Sequence, residues 1–134
     1  MGLEDELEFI GFPEKNDGQY KIIQLYWGNR PVMLFGRVND NHPDMLSKFL
    51  QSKKIHVDYI SSSIPLSVLQ IPSPGGDGHL YHVVGMGNNH MSPKSKKFTK
   101  PEGRSSHYDI DANRAHSAIF KNRMIKEGWT LMKY

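Results

Sequence analysis

The run QYKIIQLYWGNRPVMLFGRV, Gln19–Val38, decides the fold class. Two β-rich segments, Gln19–Tyr26 and Pro31–Val38, flank Trp27-Gly28-Asn29-Arg30. Gly and Asn accept the positive φ angles of a tight reversal, so the pattern predicts a β-hairpin. Pro31 falls at the first residue of its strand, where a missing N–H disturbs the ladder least. Just upstream, Phe9-Ile10-Gly11-Phe12 is a short apolar run, and Glu14–Gly18 carries turn chemistry.

Downstream, Asn39–Asp44 reads as a helix start: Asn41 or His42 at the cap, Pro43 in the first turn, and Asp44 beside the positive end of the dipole. Met45, Leu46, Phe49 and Leu50 then share one face as far as about Lys53. Ile55–Ile60 alternates with period two, as a strand does, and Ile64–Ile71 and His79–Met86 flank a second turn at Pro72–Gly78. A last helix is expected from Asp109 or Asp111 to Glu127, with Ala115, Ala118, Ile119, Asn122 and Ile125 on its apolar face. Gly128 is placed to end it, and Trp129–Tyr134 resembles a final strand. This order implies a single α+β domain over residues 1–134, a small, mainly antiparallel sheet with two helices packed most simply on one face.

The 134 residues suffice for one core, and the absence of cysteine removes disulfide frameworks, thiolate nucleophiles and Cys-based zinc sites together. The acidic start lacks the basic and then apolar order of a secretory leader, and no apolar run approaches the roughly 18 residues of a membrane span. A soluble, cytoplasmic protein without a membrane partner is expected.

The formal charge of +3 is unevenly spread. Lys94, Lys96, Lys97, Lys100 and Arg104 face only Glu102 between His90 and His107, whereas Glu4, Asp5, Glu6, Glu8, Glu14 and Asp17 face only Lys15 at the start. Such polarity steers an anion to one face, or lets the acidic N-terminus of one copy meet the basic segment of another in a homo-oligomer. The stretch of about residues 87–107 reads as one long basic loop, longer than the roughly 12–15 residues that ordinary connections span.

In that loop, lysines pair with phosphates, Phe98 offers a stacking surface, and prolines keep the chain extended. The candidate ligand-binding residues are Asn88, Asn89, His90, Lys94, Lys96, Lys97, Phe98, Lys100, Arg104, Ser105 and His107. The expected ligand is a phosphate-bearing anion, nucleic acid or a nucleotide-like small molecule. The same composition also describes a solvated surface loop, and Gly85, Gly87, Asn88 and Asn89 show no dinucleotide-type glycine spacing.

His42 is the catalytic candidate, since an imidazole at a helix N-terminus can act as base or nucleophile toward a phosphoryl group. His42–Lys48 resembles the His-x-Asp helix start of the janus/phosphohistidine phosphatase family, which implies phosphoester hydrolysis. That family's phosphate loop has no counterpart in this chain, and a plain capping histidine is the reading that the residues favour. No metal or other cofactor is expected: His79 and His82 point to opposite faces of a strand, and Asp109 and Asp111 suit a helix start. Gly-x-Ser-x-Gly is absent, as are the aromatic strand pattern and Gly-x-x-Gly loop of common RNA-binding modules. A subunit that only assembles with proteins is the remaining alternative.

Overall fold

The computed structural model describes residues 3–27, 30–37, 39–52, 70–72, 80–105 and 110–132. A short 3-10 turn, Leu3–Asp5, precedes β1 (Glu8–Ile10), β2 (Gly18–Trp27) and β3 (Arg30–Arg37). Then come α1 (His42–Ser52), β4 (Gln70–Pro72), β5 (Leu80–Ser92), β6 (Lys97–Phe98), β7 (Arg104–Ser105), β8 (Ile110–Asp111), α2 (Arg114–Lys126) and β9 (Thr130–Leu131). The fold is α+β. None of the described helices is long and apolar enough to cross a membrane.

The hairpin forms as its sequence dictates, with Ile22 opposite Phe35, Ile23 opposite Leu34, and the pairing closing at Trp27 and Arg30. Among the described residues the main sheet runs β1-β3-β2-β5-β6-β9, with β4 paired to β5 as well. The sheet is mixed rather than simply antiparallel: β1 lies parallel to β3, and β9 parallel to β6. Each parallel strand is short and sits at an edge, reached after a connection long enough to reverse direction.

The helices lie on opposite faces of this sheet, which corrects the one-face expectation. Ile23, Leu25, Val32 and Leu34 pack with Met45, Leu46 and Phe49 of α1. Their neighbours Ile22, Met33 and Phe35 pack with Phe120 and Met124 of α2. Successive strand residues point to opposite faces, so burial of both Ile22 and Ile23 requires cover on both sides. In β5 the register slips by one residue opposite Gln24 and Leu25, which leaves Val84 as the extra residue of a bulge. Val83 and Met86 thereby reach the same core despite being three apart.

Helix α2 starts later than expected because Ile110–Asp111 pairs with Arg104–Ser105 as strand. Asn113 caps it instead, its side chain accepting from the His116 N–H at 2.8 Å. Its buried side is His116, Ser117, Phe120 and Met124, whereas Ala115, Ala118 and Ile125 are exposed. Gly128, at φ 91°, ends it as predicted: its N–H donates to Ile125 and the Trp129 N–H to Met124, the Schellman arrangement. The strand expected at Ile55–Ile60 lies outside the described residues.

Candidate functional site: a basic trough beside the second helix

The segment read as one basic loop is mostly paired chain. Strand β5 continues to Ser92, residues 93–96 turn, and Phe98 returns opposite Met91. Beyond it the chain stays against β5. Thr99 N–H donates to His90 O at 3.0 Å, Glu102 N–H to Asn88 O at 2.9 Å, and Asn88 N–H to Glu102 O at 2.8 Å. Gly87 permits this approach, since a Cβ there would strike the Glu102 carbonyl. The glycine therefore serves packing of the chain on itself.

The candidate residues consequently separate. Phe98 is fully buried against Phe120 (centroids 5.5 Å apart), so it builds the core and presents no stacking surface. Asn89 is buried as well, its amide donating to the Thr99 carbonyl at 3.3 Å. Asn88 accepts from Gln19 Nε2 at 2.8 Å, and the half-buried His90 shares its backbone N–H with Thr99 Oγ1. Lys94 and Lys96 are exposed on the β5–β6 turn and Lys97 at the start of β6, and the Lys94 N–H donates to Asp17. Arg104 sits 3.8 Å from Asp111, and Ser105 lies in β7 opposite Ile110. His107 lies outside the described residues.

Of the basic segment, Lys100 lines a cleft. That trough, about 450 Å³, has one wall made of Lys100, Pro101, Glu102 and Gly103. The other wall is α2, where Arg114, Ser117, Ala118 and Lys121 follow the i, i+3, i+4, i+7 spacing of a single helix face. Cations stand at both ends of that face, about 10 Å apart along the axis, and the small residues between them leave the space open. Arg114, Lys121 and Ser117 are the site residues that the sequence reading overlooked. Their spacing is the available signal, hidden in the sequence because Ala118 reads as a core position.

Charge is directed as well as concentrated. On α2, Arg123 is held by Glu127 at 3.2 Å and by the carbonyls of Glu4 and Leu7, and Lys126 pairs with Asp5. That pairing lowers the Asp5 pKa and raises that of Lys126, the hydrogen bond between them being the main cause. The acidic start is thus engaged by α2 of its own chain. By contrast Lys100, Arg114 and Lys121 have no carboxylate partner among the described residues. Ser117, however, is committed: its Oγ donates to the Asn113 carbonyl at 2.7 Å and accepts from Gln24 Nε2 at 2.8 Å. Gln24 Oε1 in turn accepts from the Asn113 N–H at 2.5 Å, which fixes the helix start to the sheet.

His42 occupies a different place. It is 4% exposed and its Nε2 donates to Gly87 O at 3.1 Å, while Asn41 supplies the cap, accepting from the Asp44 N–H at 2.8 Å. The imidazole ties α1 to β5. A second concavity of about 300 Å³ beside α1, lined by Ile10, Leu34, Phe35, Met45 and Phe49, is largely apolar. Among the described residues no group of three or more acidic or imidazole side chains is placed to hold a metal ion. No protein-family model matches the chain and no curated protein is significantly similar to it, so the site's own chemistry has to carry the functional argument.

Proposed function

We propose that this protein binds a phosphate-bearing anion in the trough between residues 100–103 and the first two turns of α2. The observation that carries the reading is the convergence of Lys100, Arg114 and Lys121, unpaired within the described chain, on one concavity. Lysine and arginine at such a place gain charge-assisted hydrogen bonds to phosphate oxygens. Both walls are held by backbone and capping bonds, so little ordering accompanies binding. Nucleotide-like molecules and nucleic acid both carry the required group. Burial of His42 lends no support to the hydrolase alternative, and engagement of Asp5 by Lys126 weakens the case for pairing of copies through the acidic start.

Calorimetric titration with AMP tests the reading. Replacing Lys100, Arg114 and Lys121 by Ala together should weaken binding by at least about tenfold, the scale of losing one charge-assisted contact. Replacing Lys94, Lys96 and Lys97 by Ala should change it by no more than about twofold, as for exposed charges at a distance. The opposite ranking refutes the trough.

A further inference from the structure

The lining of the trough narrows the ligand class, an inference that rests on the anion-binding reading above. Among the described residues its apolar surface consists of Pro101, Ala112 and Ala118, without an aromatic ring. Proteins that hold single-stranded nucleic acid combine backbone charges with aromatic platforms for the bases, and here Phe98 and Phe120, close to the trough in sequence, are sealed in the core. Among the described residues the polyanion reading therefore lacks one of its two requirements.

Glu102 adds a second, independent observation. Its backbone is pinned to Asn88, yet the residue lines the trough, and its exposed side chain makes no hydrogen bond or ion pair among the described residues. A carboxylate in the path of a phosphate chain repels it. Beside a polyol, the same group accepts strong hydroxyl hydrogen bonds. An open space of about 450 Å³ between small side chains suits a compact molecule that presents both kinds of group.

We infer that the trough takes a compact phosphomonoester with a hydroxyl-bearing body, of the sugar-phosphate class. Lys100, Arg114 and Lys121 hold the phosphate and Glu102 accepts from the hydroxyls. Titration of the full chain with ribose 5-phosphate, inorganic phosphate and a short oligothymidylate tests this. Ribose 5-phosphate should bind about tenfold more tightly than inorganic phosphate, one hydroxyl–carboxylate contact being of that order. Glu102→Ala should remove the preference while leaving inorganic phosphate bound as well or better. If the oligothymidylate binds more tightly than ribose 5-phosphate, or the preference survives in Glu102→Ala, the inference is overturned while the anion site stands. If none of the three binds, the inference and the reading beneath it fall together.

Discussion

His116 shows how one side chain can be both buried and decisive. Its Nε2 donates to the carbonyls of Leu25 (3.2 Å) and Val32 (3.0 Å), bridging two strands, while its Nδ1 is buried without a partner. Protonation would place a charge and a further N–H where no acceptor waits, so burial pushes the pKa down from 6.5 to about 4, against the opposing pull of those carbonyls. Between those values the unfolded chain binds the proton and the folded one does not. The contribution is therefore complete above pH 6.5 and is lost as pH falls through about 4. Urea unfolding across that window should show a loss of up to about 3 kcal/mol, at about 1.4 kcal/mol per pKa unit. His116→Gln, whose amide can still donate to the same carbonyls, should flatten the slope; an unchanged slope would assign it to other groups. Nothing in the sequence marked this histidine, because its neighbours in space come from β2 and β3.

At the scale of elements, the strands of the Gln19–Val38 hairpin were legible and their cover was misread. Ile22-Ile23 and Val32-Met33-Leu34-Phe35 are continuous apolar runs, the pattern of strands buried on both faces. Reading the hairpin as one-sided overlooked that signal. Helix α2 misled for the opposite reason: His116 and Ser117 occupy its buried side and Ala118 and Ile125 its exposed side, so polarity does not mark the core face. Polar residues can be buried there because Gln24, Asn113, Leu25 and Val32 satisfy them. The two-sided sheet makes a simple prediction. Ile22→Ala and Ile23→Ala, at adjacent positions facing different helices, should each cost about 2–5 kcal/mol. A near-neutral result at either position in denaturant unfolding would mean that one face lacks its helix.

For the whole molecule, the distribution of charge was visible in the sequence but its geometry was not. The basic stretch looked like one loop because Lys, Ser and Pro obscure a strand that Met91 and Phe98 anchor through the core. Folding divides those lysines between an exposed turn and a trough, and adds Arg114 and Lys121 from an element that appeared unrelated to the ligand. Meanwhile Arg123 and Lys126 draw the acidic start onto α2. The cations of that helix without a carboxylate partner among the described residues, Arg114 and Lys121, line the trough. Amide NMR during a titration with inorganic phosphate reads out where the anion settles. The account predicts shifts concentrated at residues 100–103 and 114–121; shifts centred on residues 94–97, or none at saturating phosphate, would contradict it.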